Sequence, residues 1–280
     1  MARPDSSEGG GTSRAIVELE GVTKRYGAAA AVAGVTLSVP EGQFLAIVGA
    51  SGSGKTTTLK TINRLIEADE GVIRVAGDRV TALPPHVLRR KIGYVFQGIG
   101  LFPHMTVGEN IGITPRLAGW AKADVEARVL ELLDLVDLPR EHARRMPAEL
   151  SGGQRQRVGV ARALAAGPRI MLMDEPFGAL DPVTRDALGR EYRRLHERMR
   201  LTTLMVTHDV LEAVLLADRI VVMRAGTIVA DGSPHDLLRD HPDEGVRELM
   251  EMPRRQSERV RALLDAIPAS SPPARGQAAP

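Results

Sequence analysis

The sequence Gly49-Ala-Ser-Gly-Ser-Gly54-Lys55-Thr56 matches the pattern G-x-x-x-x-G-K-[ST] and decides the fold. A compact apolar run, Phe44–Val48, precedes it, and apolar residues follow at helical spacing over positions 59–66. A buried strand, a glycine-rich loop and a helix therefore succeed one another. This succession predicts an α/β core in which the loop cradles phosphate groups, with an ordinary Gly/Ser turn as the alternative.

The residues of this loop are suited to a nucleotide. Its glycines let successive backbone N–H groups turn inward as an anion-binding nest, and the following helix adds the positive end of its dipole. Lys55 is expected to reach the β- and γ-phosphates, and the Thr56 hydroxyl is expected to bind Mg²⁺. The predicted nucleotide-binding residues of the loop are Gly49, Ser51, Gly52, Ser53, Gly54, Lys55, Thr56 and Thr57.

A second stretch, Ile170-Met-Leu-Met173-Asp174-Glu175, is an apolar strand that ends in two adjacent carboxylates. Adjacent strand residues point to opposite faces, so one acid can bind Mg²⁺ while the other faces a water molecule. Asp174 follows the strand directly and is the expected metal ligand. Glu175 is expected to orient or deprotonate the water that attacks the γ-phosphate. A solvated acidic turn is the alternative.

A third stretch, Leu150-Ser151-Gly152-Gly153-Gln154, begins another helical pattern. Ser151 suits the helix cap, and the paired glycines expose backbone N–H groups at the positive helix end, which makes a second anion site. One chain has no evident need for two such sites. A dimer does, if each chain offers this helix start to the nucleotide on the other chain; a simple helix cap is the alternative.

The remaining pattern favours one α/β domain with a helical insertion. Ala15–Leu19, Val35–Val39 and Val72–Val75 predict an antiparallel layer. Further apolar runs suit strands buried in a mainly parallel sheet; they are Phe44–Val48, Ile170–Met173, Leu204–Thr207 and Ile220–Met223. From about position 106 to 138 the pattern becomes helical, with one apolar face formed by Val125, Val129, Leu132, Leu133 and Val136.

Composition excludes several functional classes. The formal net charge is only +2, which gives no electrostatic footprint for nucleic acid. Cysteine is absent, so disulfides and thiolate metal sites are excluded and a reducing cytosol is expected. No run approaches the roughly 18–20 apolar residues that a membrane-spanning helix needs.

Together these motifs resemble those of the ABC ATPases, in the family's order and over about residues 15–240. Residues 150–154 resemble the family's signature motif, here called the signature stretch. Tyr26 resembles the aromatic residue that stacks on adenine, and Gln97 resembles the glutamine that senses Mg²⁺ and water. Asp181 resembles the residue of the loop that couples two ATP sites, and His208 resembles the switch histidine at the γ-phosphate.

Each of these four residues also has a simpler interpretation. Tyr26 would be a surface tyrosine in a turn, Gln97 a solvated loop residue, and His208 a hydrogen-bonded histidine at a strand end. Asp181 before Pro182 is a plausible helix cap, a role compatible with the family's.

The resemblance implies a P-loop NTPase core with an antiparallel β layer and a helical subdomain at about 98–160. It implies ATP and Mg²⁺ as ligands, with Thr56, Gln97 and Asp174 at the metal. It further implies a homodimer at the cytoplasmic face of the cell membrane, bound to permease subunits and served indirectly by an external solute-binding protein. No nucleic-acid partner is expected.

The stretch Phe102-Pro-His-Met105-Thr-Val-Gly-Glu-Asn110 resembles the same region of bacterial importers of polar solutes. The segment 100–120 is similar to ATPases for quaternary-amine osmoprotectants such as glycine betaine, choline and carnitine. Leu101, Phe102 and Met105 are predicted to line a groove for a cytoplasmic helix of the permease, while core packing of Phe102 is the alternative. An importer of amino acids or other polar solutes also remains open.

The expected organisation is a leader at 1–14, an ATPase domain at 15–240, a helical extension at 241–267 and a disordered tail at 268–280. About forty residues follow position 240, too few for the paired regulatory module of many subfamily members. Val246, Leu249 and Met250 could form an amphipathic pair with Val260, Leu263 and Leu264, broken at Pro253, with a frayed tail helix as the alternative.

A rival of another class is a non-transport ABC protein that clamps nucleic acid. Such proteins usually carry a long coiled coil, zinc cysteines or a second ATPase copy. The sequence has none of these features.

Overall fold

The computed structural model describes residues 15–239 and 241–265 of the chain. Its strands are β1 (Ala15–Tyr26), β2 (Ala29–Pro40), β3 (Phe44–Val48), β4 (Glu70–Val75), β5 (Asp78–Arg79), β6 (Ile92–Val95), β7 (Ile170–Asp174), β8 (Thr202–Val206), β9 (Arg219–Arg224) and β10 (Thr227–Gly232). Its helices are α1 (Lys55–Ile62), α2 (Pro85–Arg90), α3 (Val107–Leu117), α4 (Lys122–Leu135), α5 (Gly152–Leu164), α6 (Pro182–Met199), α7 (Val210–Leu216), α8 (Pro234–Arg239) and α9 (Glu244–Asp265).

The main sheet has the order β10-β9-β3-β8-β7-β6 and is parallel except for β10. Every residue of β3, β7 and β8 is buried, because helices or the second sheet cover both faces of these strands. The phosphate loop follows β3 and the two acids come at the end of β7. Parallel strands end at the same edge of a sheet, so this order brings both motifs together.

A second sheet, β2-β1-β4-β5, is antiparallel, as the sequence predicts. Its buried face, with Val17 and Leu19, joins Leu45 and Ile47 of β3 in one apolar core. The predicted fold class, a P-loop α/β core with an antiparallel layer and a helical part, is confirmed.

Helices α3, α4 and α5 form the predicted helical part. The apolar face of α4 is buried against a second core, in which Leu132 and Leu133 are fully inaccessible. Helix α3 begins at a capping box, since Thr106 Oγ1 accepts the Glu109 N–H at 3.2 Å and Glu109 accepts the Thr106 N–H at 2.8 Å. The numbered domain boundaries stay predictions.

The expected break at Pro253 is wrong, because α9 runs without interruption from Glu244 to Asp265. One ion pair spans the proline, Arg255 with Glu251 at 2.6 Å, and a second follows it, Arg254 with Glu258 at 2.8 Å. Each adds a small stabilisation to the helix near the hydrogen bond that Pro253 lacks.

Val246 and Met250 anchor the first half of α9 in the core, and Leu249 packs against them in part. The side chains of Val260, Leu263 and Leu264, the leader at 1–14 and the tail at 268–280 lie outside the described residues. Within the described part of the chain, no helix is long and apolar enough to cross a membrane.

Candidate functional site

The phosphate loop has a backbone path that only glycine fits at two positions. Gly49 and Gly54 have φ values of 148° and 101°. A Cβ on Gly49 would lie 2.2 Å from the Met223 carbonyl oxygen, and a Cβ on Gly54 would lie 2.3 Å from that of Ala31. The neighbouring strands therefore press directly on the loop.

Around this path the other predicted loop residues differ in exposure. Ser51 and Gly52 are exposed at its mouth, Ser53 is buried, and Thr57 is half-buried on α1.

Lys55 is buried inside the loop. Its ammonium group donates to the carbonyl oxygens of Gly49 and Ala50 at 2.7 and 2.9 Å, and lies 3.4 Å from Ser53 Oγ. Burial lowers the pKa of Lys55, and the negative charges of Glu175 and Asp174 oppose this shift. A buried cation held by neutral acceptors gains most from an anion, so the loop fits a phosphate ligand.

The carboxylate of Asp174 joins the loop to the end of β7. Its Oδ1 accepts a hydrogen bond from the Thr56 hydroxyl at 2.8 Å. Its Oδ2 lies 3.9 Å from Lys60 Nζ and accepts from the Tyr94 hydroxyl at 3.4 Å. Burial, together with the charge and hydrogen bond of Asp174, raises the pKa of Tyr94, so Tyr94 remains a neutral donor.

The fit to Mg²⁺ follows from the donor set. A hydroxyl and a carboxylate oxygen are ligands that Mg²⁺ accepts alongside phosphate oxygens and waters. The described residues contain no cluster of three or more His, Cys, Asp or Glu that could hold a metal alone. Thr56 and Asp174 therefore suit a metal shared with a phosphate ligand.

The Glu175 side chain contacts residues of two other loops, one after β6 and one after β8. Its backbone adopts a left-handed conformation, φ 46°, and its N–H donates to the Val206 carbonyl at 2.9 Å. Gln97 Nε2 donates to Glu175 Oε2 at 3.0 Å, and His208 Nδ1 lies 3.3 Å from Glu175 Oε1. The structure thus brings together all three residues predicted to be catalytic.

The side chains of the signature stretch form the N-terminal cap of α5. Ser151 Oγ accepts the Gln154 N–H at 3.2 Å, and Gln154 Oε1 accepts the Ser151 N–H at 2.9 Å. Gly153 sits against α6, since a Cβ there would lie 2.8 Å from Thr184 Cγ2. The helix-cap role is therefore present, and the role towards a partner's nucleotide stays a prediction.

Asp181 caps α6 and accepts the Thr184 N–H at 3.0 Å. The hydrogen bonds from Thr184 hold its pKa below the usual range. Tyr26 ends β1 with 54% of its surface exposed, and Lys24 Nζ lies 5.7 Å from its ring centre. The role of Asp181 towards a partner chain and the role of Tyr26 towards adenine stay predictions.

The loop of the predicted permease groove is held by Asn110. The side chain of Asn110 accepts the Phe102 N–H at 2.8 Å and donates to the carbonyls of Phe102 and Met105 at 3.1 and 3.0 Å. Phe102 is 39% exposed, which disagrees with core packing, whereas Leu101 and Met105 are half-buried.

Sequence reasoning missed several residues that contact the site. Tyr94 and Lys60 contact Asp174, as described above, and Arg185 contacts the residue after His208. For Tyr94 a signal existed, because it lies in the strand three positions before Gln97. The contacts of Lys60 and Arg185 depend on how separate elements pack.

Comparison with known proteins agrees with this geometry. The family model described as ABC transporter matches residues 32–178, the part that contains the phosphate loop, the signature stretch and both acids. The chain belongs to the ABC transporter family. The dimeric structure of the ATP-binding cassette MJ0796 bound to ADP and Pi is 34% identical, with a TM-score of 0.70, over 78% of this chain and 98% of that one.

Two relatives in the ABC family illustrate the similarity at the level of sequence. The choline transport ATP-binding protein OpuBA of Bacillus subtilis is 52% identical over 236 residues, which cover 84% of this chain. The glycine betaine uptake system ATP-binding protein YehX of Escherichia coli is 49% identical over 233 residues, 83% of this chain and 76% of YehX. The matched part spans 62% of the length of OpuBA.

Proposed function

We propose that this chain is the ATP-binding and ATP-hydrolysing subunit of an ABC importer that takes up a quaternary amine. The proposal rests on one observation: Gln97 and His208 both contact the carboxylate of Glu175, beside the Thr56–Asp174 hydrogen bond. This arrangement supports a metal site and a candidate base at one sheet edge.

Binding is the task of the phosphate loop. Lys55 exchanges its two carbonyl acceptors for phosphate oxygens, and the loop N–H groups hold the remaining negative charge. Thr56, Asp174 and Gln97 would hold Mg²⁺, which would supply positive charge against the negative charge of the phosphates. Tyr26 offers its exposed ring to the adenine.

Hydrolysis is the task of Glu175. Its carboxylate orients the attacking water and accepts a proton from it, while Gln97 Nε2 holds the second carboxylate oxygen in place. His208 Nδ1 lies 3.3 Å from Glu175 Oε1, and we assign it to contact the γ-phosphate beside the same water.

A second copy of the chain completes the site. Gln97 and Ser151 are exposed, and the His208 side chain is 60% exposed, so these groups are accessible to a partner. In the proposed homodimer, the start of α5 in each chain binds the γ-phosphate held by the other. Asp181 then links the two sites. The dimeric MJ0796 cassette supports this arrangement.

Coupling to transport goes through the loop of Leu101, Phe102 and Met105, which receives a helix of the permease at the cytoplasmic face of the membrane. An external binding protein delivers the solute. The names of OpuBA and YehX support choline or glycine betaine as the solute class, with carnitine as a further member.

The test of the solute is uptake in a strain that lacks the gene. We expect loss of radiolabelled choline, betaine or carnitine uptake, and restoration by the wild-type gene but not by the Lys55→Ala variant. Unchanged uptake of every quaternary amine, with loss of another polar solute, would favour a different importer and leave the ATPase assignment intact.

A further inference from the structure

One arginine joins the two loops that flank the proposed catalytic site. Arg185, in the first turn of α6, donates through Nη1 to Asp209 Oδ2 at 3.0 Å and through Nη2 to the Leu180 carbonyl at 3.1 Å. Leu180 precedes Asp181, and Asp209 follows His208. A single planar guanidinium therefore fixes the distance between these loops.

Asp209 passes this constraint to the backbone around His208. Its N–H donates to Thr207 Oγ1 at 3.0 Å, and its Oδ1 accepts the Glu212 N–H at 3.1 Å as the cap of α7. The Thr207 hydroxyl in turn donates to the Glu212 carboxyl group. Both neighbours of His208 are thus held, and a shift of Asp209 must move the histidine.

The other end of the connection reaches the signature stretch. A Cβ on Gly152 would lie 3.6 Å from Leu180 Cδ2, and one on Gly153 would lie 2.8 Å from Thr184 Cγ2. The start of α5 therefore rests on Leu180, the residue before Asp181, and on Thr184 in the first turn of α6. A displacement of the start of α5 would therefore move Leu180 and Thr184, because closely packed groups have little free volume between them.

The charges around this connection are partly shielded from water. The side chains of Arg185 and Asp209 are each 29% exposed, and Arg185 Nε is a buried donor without a partner in the structure. Glu212 Oε1 is likewise buried without a partner. Burial, together with the charge of Asp209, raises the pKa of Glu212 to about 7, while the hydrogen bond from Thr207 and the charges of Arg185 and His208 oppose this rise.

We propose that Arg185 is a positioning residue for ATP hydrolysis. It sets the position of the His208 side chain beside Glu175, and that position changes with the position of the start of α5. The inference rests on the proposed function of that site. When a ligand or a partner chain moves the start of α5, Leu180 and Arg185 follow, and Asp209 carries the movement to His208. Arg185 itself touches neither substrate nor metal.

The test compares two arginines of the same helix. Arg193 also joins α6 to the α7 region, through the Leu216 carbonyl and Asp218 at 2.8 Å each, and its ion pair is similarly exposed, but it lies at the far end of α7. Purified full-length Arg185→Gln and Arg193→Gln would be assayed for kcat, KM for ATP and melting temperature.

We expect Arg185→Gln to lower kcat by about 10- to 100-fold with little change in KM, since a small misplacement of a catalytic group costs that much. Arg193→Gln should change kcat by less than about twofold, because its acidic partners, Glu197 and Asp218, lie at the ends of α6 and α7 that are farthest from Asp181 and His208. Both should lower the melting temperature similarly. Equal kcat values for the two variants would overturn the proposal.

Two further variants separate positioning from folding. Asp209→Asn keeps the oxygen that caps α7 but removes the charge that binds Arg185. If the pair acts as a unit, the double variant Arg185→Gln/Asp209→Asn has about the kcat of either single variant, whereas multiplied losses contradict the proposal.

Arg185→Lys keeps the charge but cannot span both acceptors, so it should recover part of kcat. A kcat no higher than that of Arg185→Gln would count against the proposal.

The wild-type chain and Lys55→Ala decide the proposed function separately. If the wild type hydrolyses ATP and Lys55→Ala does not, the ATPase assignment stands and the arginine comparison tests the coupling alone. If the wild type lacks hydrolysis under all conditions, with or without its permease, both fail together.

Discussion

The two halves of the candidate site differ in how far a single chain completes them. On one side, Lys55, Thr56 and Asp174 are joined to the loop and to each other by hydrogen bonds of 2.7–2.9 Å in a largely buried setting. On the other side, Gln97 and His208 reach Glu175 from exposed loops. The buried half fits a phosphate group within one chain. The exposed half is open to solvent, and we propose that a second copy of the chain covers it.

The largest effect is expected in the buried half. Lys55→Ala removes the only ammonium group inside the described loop, so hydrolysis should fall about 100-fold or more and ATP binding should weaken strongly. Fluorescent ATP-analogue titration and phosphate release measure both. Lys91→Ala, a change at an exposed ion pair with Asp78, is the control and should behave as wild type. Normal turnover in Lys55→Ala would refute the phosphate-loop assignment.

In the exposed half, Glu175→Gln should separate binding from chemistry. The amide cannot accept a proton, so hydrolysis should fall about 10²- to 10⁴-fold while ATP affinity is retained, because Asp174 still serves the metal. The matched control is Glu70→Gln, an exposed glutamate paired with Arg25, which should hydrolyse ATP normally. Wild-type turnover in Glu175→Gln would show that another group is the base.

The loop at Phe102 extends the comparison to transport. Phe102→Ala should cost about 1 kcal/mol or less in unfolding free energy and keep ATP hydrolysis in the isolated subunit, while permease binding and uptake fail. The core control, Phe44→Ala at 0% exposure, should cost about 3–5 kcal/mol. A sharp loss of stability in Phe102→Ala, or intact transport, would argue against the groove.

A smaller effect concerns pH and Glu212. Its folded pKa of about 7 lies above its ordinary value of 4.5, so its contribution to stability is fully present below pH 4.5 and is lost as pH rises through about 7. At about 1.4 kcal/mol per pKa unit, the rise from 4.5 to about 7 corresponds to a loss of at most about 3.5 kcal/mol. Glu212→Gln should lack this decline, as urea unfolding at pH 5 and pH 8 would reveal. An equal decline in both proteins would contradict the buried titration.

The sequence predicts the buried half better than the exposed half. The phosphate loop is one contiguous stretch, and strands β3 and β7 are unbroken apolar runs, so local pattern suffices for both. The short strand Ile92–Val95 carries little pattern of its own, because one of its four positions is a glycine. Strand β10 (Thr227–Gly232) alternates poorly and pairs only at the sheet edge.

Contacts between distant elements explain what sequence reasoning missed. The role of Arg185 depends on the packing of α6 against the loop after β8, which no single stretch of sequence encodes. Helix α9 continues through Pro253 against the local preference of proline to end a helix, and the turns before the proline are anchored in the core by the buried Val246 and Met250. In both cases tertiary or side-chain context overrides the local signal.

The most direct measurement of the central claim, that a second copy completes the exposed half, is the mass of Glu175→Gln in solution. Size-exclusion chromatography with light scattering would be run with and without Mg-ATP. The account predicts a species of twice the 30.2 kDa chain mass with Mg-ATP and the single-chain mass without it. A species that stays at the single-chain mass at saturating ATP, while nucleotide binding is intact, would contradict it.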